Sequence, residues 1–183
     1  MGGQEQGHRL VLITGVAGTG KSTLGEAAAD LLGAAVLGWD WAMASLTRFE
    51  PIQRALRNGS REQYVELGWA IVCNFAVAQL RHRRSVVLDG VAGAAEIDMV
   101  AQVAADTDAR LLVVATDCSD VDVHRARVEG RRREIPGWHE LEWSLVAGAR
   151  ERWKTPRDAD LYLDAVDPLA RNITRLRDVL TKD

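Results

Sequence analysis

Gly15-Val16-Ala17-Gly18-Thr19-Gly20-Lys21-Ser22-Thr23 carries the residue types and spacing of a polyphosphate cradle. Glycines let such a loop turn its amide N–H groups inward, and the helix that follows adds its positive N-terminal end. Lys21 would reach the outer phosphates of ATP, and the Ser22 hydroxyl would ligate Mg²⁺. The other reading of this segment is a glycine-rich turn that only links strand to helix. The context argues against it, because Leu10-Val11-Leu12-Ile13-Thr14 reads as a strand leading in and an alanine-rich helix leads out.

Two acids and a basic run complete the candidate chemistry. Asp40, in Leu37-Gly38-Trp39-Asp40, can accept or orient the proton of an attacking hydroxyl; the competing reading is an N-cap for a helix that begins at Trp41. Asp89 closes the apolar run Ser85-Val86-Val87-Leu88, as an acid that holds a Mg²⁺-bound water or the acceptor would; Asp89-Gly90 is also an ordinary turn pair. Asp40 and Asp89 are free to exchange these roles. Arg127 and Arg131 offer planar, always-charged guanidinium groups suited to a transferring phosphoryl, while Arg125, Arg132 and Arg133 read as a solvated basic face.

The elements that must position these groups are five short apolar runs alternating with amphipathic segments, an α/β pattern with a parallel sheet. Strands are predicted at 9–14, 34–38, 85–88, 110–115 and 161–165. Helices are predicted at 21–32 (stopped by Gly33), 60–83, 95–105, 120–129, 139–152 and 168–180. Ser60 with Gln63 makes a capping box, and Asp167 with Pro168 is expected to open the last helix. The chain has 183 residues, enough for one domain with one sizeable core, 1–183, carrying an acceptor-side helical insert at about 40–83. The apolar stretch Leu67–Ala78 is too short to span a bilayer and reads as a buried helix.

With 27% charged residues and a net charge of -3, nothing global favours nucleic acid or a membrane surface. The polar start, Met1 to Gly7, lacks a signal-peptide pattern, which points to the cytoplasm, and Cys73 and Cys118 are expected as free thiols. Lysine occurs only at 21, 154 and 182, so the remaining positive charges are arginines. The four histidines form no metal-ligand spacing, and surface or capping roles suffice for each; His139, beside Trp138, is the one to watch.

No Asn-Lys-x-Asp element for guanine is present, which sets aside a small GTPase, and a mechanical AAA-type ATPase would need a helical lid domain and a longer chain. The phosphate loop, Leu37-Gly38-Trp39-Asp40 and the run Val123-His124-Arg125-Ala126-Arg127-Val128-Glu129-Gly130-Arg131 together resemble the short P-loop kinases: the zeta-toxin-like, chloramphenicol-phosphotransferase-like and gluconate-kinase-like proteins. The resemblance implies a P-loop NTPase fold with helices on both faces of a five-stranded parallel sheet in order 2-3-1-4-5. It also implies a lid after the fourth strand, at about 127–139, in which Arg127 and Arg131 meet phosphate, and a base-binding loop of backbone at Asp164–Pro168.

On that resemblance the expected activity is ATP- and Mg²⁺-dependent transfer of the γ-phosphate to a hydroxyl of a sugar, antibiotic or other natural product. Lys21, Asp40, Asp89, Arg127 and Arg131 are the expected catalytic residues, and Ser22 and Asp89 the metal ligands. A nucleoside monophosphate kinase, with Arg48, Arg54, Arg57 and Arg61 holding an anionic acceptor, and a non-catalytic ATP-binding regulatory module are the alternatives. Of the tryptophans, Trp69 is expected in the core, and Trp39 or Trp41 on the acceptor pocket as a flat apolar wall.

Overall fold

The computed structural model describes residues 7–182; Met1 to Gln6, the bulk of the polar start, lie outside the described residues. Five strands, β1 (Arg9–Thr14), β2 (Ala35–Gly38), β3 (Val86–Asp89), β4 (Arg110–Asp117) and β5 (Leu161–Asp164), form one sheet in order β2-β3-β1-β4-β5. Every pairing is parallel, with Ile13 beside Asp89 and Thr14 beside Ala115, so the carboxyl ends of the strands share one edge. Apolar side chains alternate across the sheet as the period of two requires. Leu10, Leu12, Val86 and Leu88 pack under α4 (Arg61–Leu80) and α5 (Ala94–Asp106). Val11, Ile13, Leu112 and Val114 pack under α1 (Lys21–Leu32) and α8 (Leu169–Leu180) on the other face.

Local signals set the boundaries. α1 ends at Gly33 in the left-handed region, φ 59°, and Ser60 and Gln63 close a reciprocal capping box at the start of α4. Asp120 caps α6 (Val121–Glu129) through the N–H groups of Asp122 and Val123. Several sequence expectations need correction. The segment after β2, expected only as a helical insert, is α2 (Trp39–Leu46) followed by α3 (Glu50–Asn58); α3 is short, with Ile52 and Leu56 partly buried on one face. The expected helix from His139 starts only at Trp143, as α7 (Trp143–Arg152), because 131–142 run without regular structure. Asp167 does not cap α8; Pro168 occupies that position, and Asp167 pairs with Arg171 one turn on.

α4 is not buried all round. Trp69, Val72, Cys73, Ala76 and Leu80 enter the core, whereas Phe75 stands 60% exposed on the opposite face. Gly68 on this helix is required by close approach, since a Cβ there would run into the Trp39 indole. Both cysteines are free and buried. Among the described residues, no helix is long and apolar enough to cross a membrane.

Candidate active site

The loop at 15–22 joins the end of β1 to α1, and its conformation is enforced from several directions. Gly18 and Gly20 both have φ 87°, where a side chain is strained, and at Gly18 a Cβ would also strike Val128 and the His124 ring. Thr19 donates its hydroxyl to the Val16 carbonyl at 2.8 Å and lies 2.6 Å from the Thr116 hydroxyl at the end of β4. Thr14 accepts from the Ala92 N–H at 2.8 Å, tying the end of β1 to the segment after β3. Lys21 is buried, not exposed as its place at a helix start suggests, and its Nζ donates to the Val16 carbonyl at 3.0 Å. Burial lowers its pKa, while the charges of Asp89 and then Asp40 pull it back up.

A cavity of about 880 Å³ opens at the carboxyl edge of the sheet. That is where ligands sit in open parallel α/β sheets. One end is formed by Val16, Ala17, Lys21 and Ser22, with Asp89 and Arg131; Arg131 Nη2 donates to the Ser22 hydroxyl at 3.3 Å. The other end is formed by α2, α4, α7 and the irregular segment after α6, and it contains Asp40. The structure therefore brings Lys21, Ser22, Asp40, Asp89 and Arg131 to one cavity. Arg127 does not line it; its charge acts at Asp164 and Cys118.

Asp40 lies in the first turn of α2, whose N-cap is Gly38, so the capping reading does not hold. Its carboxylate accepts instead from Arg133 Nη1 at 2.8 Å. Arg133 is no solvated surface residue: its side chain is 10% exposed, it donates to the His139 carbonyl, and its backbone N–H meets Glu140 at 3.1 Å. The pair thus pins the 131–141 segment to α2 across 93 residues of sequence.

The acceptor-side walls are aromatic. Trp39 donates its ring N–H to the Val65 carbonyl and meets the edges of Tyr64 and Trp138 at centroid distances of 5.3 and 6.3 Å. Burial raises the Tyr64 pKa, with the Asp40 charge adding to it. Trp41, Phe75 and Leu145 are each more than half exposed, and all three line the cavity. Trp69 is a core residue, as expected; both Trp39 and Trp41 reach the cavity because they start a helix and do not continue the extended strand. Of the acceptor-side arginines only Arg61 reaches the lining, and Arg54 is bound to Glu50 on α3.

Sequence reasoning missed two histidines. His8 is buried against the Thr107 carbonyl at 2.9 Å. His124 is fully buried on α6, with Nε2 2.7 Å from the Ala17 carbonyl of the phosphate loop and Nδ1 3.1 Å from Arg150 Nη1. The available signal was that His124 and Val128, four apart, share the one apolar face of α6 between charged neighbours. Among the described residues no cluster of three or more His, Cys, Asp or Glu is arranged to hold a metal by itself. A Mg²⁺ site here would depend on Ser22, Asp89 and the phosphates together.

A family model described as an AAA domain matches residues 10–141. No curated protein matches the sequence significantly. Solved structures share the fold at low identity. A gluconokinase from Sinorhizobium meliloti 1021 is 22% identical over 94% of this chain and 91% of its own, with a TM-score of 0.68. The Mycobacterium tuberculosis APS kinase, solved with AMPPNP and APS, is 18% identical over 96% and 99%, with a TM-score of 0.65. Chaetomium thermophilum Kti12, solved with ADP-AlF3, is 17% identical over 93% and 96%, with a TM-score of 0.68. The sheet order and these likenesses make this a P-loop kinase fold.

Proposed function

The chain belongs to this AAA domain family, and from that premise we propose that it is an ATP- and Mg²⁺-dependent phosphotransferase whose acceptor is a hydroxyl of an uncharged, ring-bearing small molecule. The observation that carries the reading is the single cavity with a phosphate cradle at one end and a carboxylate among aromatic walls at the other. The family name is shared with mechanical ATPases; the reading rests on the cavity, not on the name.

The loop fits a polyphosphate: glycines with positive φ, a buried lysine and a following helix N-terminus converge on it. Ser22 and Asp89 would hold Mg²⁺, which supplies charge neutralisation at the phosphates. Lys21 and Arg131 stabilise the charge that grows on the transferred group. Asp40 takes the proton from the acceptor hydroxyl, and Arg133 sets which way its carboxylate faces. The acceptor body packs on Trp39, Tyr64 and Trp138; Trp138 Nε1 is buried with no hydrogen-bond partner and offers its N–H to an acceptor oxygen. An anionic acceptor finds little here, since Arg133 is engaged by Asp40 and Arg61 lies at the exposed margin.

The test is to supply ATP and Mg²⁺ with two panels, ring-bearing alcohols and nucleoside monophosphates, and to follow ADP release and product mass. The reading expects a phosphomonoester from the first panel. Products only from the second would establish a nucleoside monophosphate kinase, and no product from either would favour a nucleotide-sensing module.

A further inference from the structure

His124 lies outside the cavity lining yet contacts Ala17 of the phosphate loop and Arg150 of α7, a helix whose other side lines the acceptor end. We propose that His124 is a positioning residue that fixes the phosphate loop through the Ala17 carbonyl and couples that loop, through Arg150, to the acceptor-wall helix α7. Arg150 can only donate, so Nδ1 must accept from it. The ring proton therefore sits on Nε2 and is given to the Ala17 carbonyl. The ring lies against Gly18, where a Cβ would come within 3.0 Å of it, and Trp143 meets it edge-on at 5.2 Å.

The coupling runs through one rigid element. α7 carries Arg150 near its C-terminal end and presents Leu145, Val146 and Ala149 to the acceptor cavity. Arg150 also donates to the Ser119 carbonyl at 3.4 Å, in the turn between β4 and α6. A shift of α7 as an acceptor packs against it therefore acts on the His124 ring and so on the loop peptide at Ala17. The charged groups facing the ring are Arg150 from α7, Lys21 from the start of α1 and Asp117 from the end of β4. Burial lowers the imidazole pKa, the hydrogen bond to the Ala17 carbonyl works against it, the Arg150 charge lowers it further, and the net shift is downward, which favours the neutral form at neutral pH. Protonation would place a second donor against the Arg150 guanidinium and break the link.

The inference rests on nucleotide binding at the loop, not on the transfer reaction. Its test is calorimetric titration of the full chain with Mg·ADP between pH 5 and 8.5, for wild type, His124→Gln, His124→Leu and Arg150→Met. Gln can donate to Ala17 and accept from Arg150 without titrating. It is expected to bind as wild type at neutral pH and to lack the wild-type weakening on the acid side; subtracting the two removes the titration of ADP itself. His124→Leu should bind about tenfold more weakly at every pH, the worth of one hydrogen bond at the upper end of the usual range. Arg150→Met removes the link that protonation would break, so it should bind more weakly than wild type at neutral pH and, like His124→Gln, lack the acid weakening. An acid limb unchanged in His124→Gln, or an Arg150→Met profile identical to wild type, would overturn the inference even if His124→Leu fails to fold. Wild type that binds no Mg·ADP would overturn the functional reading and this inference together.

Discussion

At the cradle end, β1 is wholly buried, and Thr14, Thr19, Lys21 and His124 each have a hydrogen-bond partner within the chain. Across the same cavity, Trp41, Phe75 and Leu145 leave more than half of their surface in water, and the irregular 131–141 segment is held to α2 by an ion pair. The first region is built before any ligand arrives; the second leaves apolar surface to be covered by one. That division suits a reaction in which the phosphate donor is always of one kind and the acceptor must be enclosed each time.

The largest expected effect lies at the cradle. Lys21→Ala should lower turnover by about 10³–10⁵, the range seen when a positive charge at a transferring phosphoryl is removed. The measurement is steady-state ADP release by a variant with native circular dichroism; wild-type-like turnover would break the cradle side of the comparison. Asp40→Asn comes next, with turnover falling by about 10²–10⁴ and Mg·ADP affinity unchanged. Because Asp40 is not the cap of α2, a loss of melting temperature without a loss of turnover would move the base to Asp89.

Stability sharpens the contrast further. Gly18→Ala forces a side chain into φ 87° against Val128 and His124 and should cost about 1–3 kcal/mol. Phe75→Ser, on the exposed cavity face of α4, should stay within about 0.5 kcal/mol in the same urea titration. Equal losses would mean that the two regions are equally built. The smallest effect is expected one layer deeper: burial pushes the Cys73 thiol up to about 11, so it stays protonated and should not react with iodoacetamide at pH 7.5. Rapid labelling would show that the looseness of the acceptor side extends into the core.

The same division decided what the sequence could disclose. β1, α1 and the capping box at Ser60 were readable because each is a local pattern, an apolar run, a glycine stop or a pair of residues three apart. The phosphate loop was readable for the same reason. His124 and Arg133 were not, because what gives each its place is distant in sequence: the Ala17 carbonyl 107 residues from His124, and Asp40 93 residues from Arg133. Read locally, a histidine and an arginine in a charged run look solvated. α3 escaped because it is only nine residues long, and the apolar period of Ile52, Ala55 and Leu56 is too short to stand out among its charged neighbours. Strand ends shifted by a residue or two, as at β4, which runs on to Asp117 where Asp164 of β5 still pairs with it.

Amide hydrogen exchange along the full chain, with and without AMPPNP and Mg²⁺, tests the comparison most directly. The account predicts that β1 and the loop at 15–22 are already slow and change little, while 131–141 slows by about an order of magnitude or more as Arg131 meets the bound phosphates. Unchanged exchange at 131–141, or a gain in protection confined to the cradle, would contradict it.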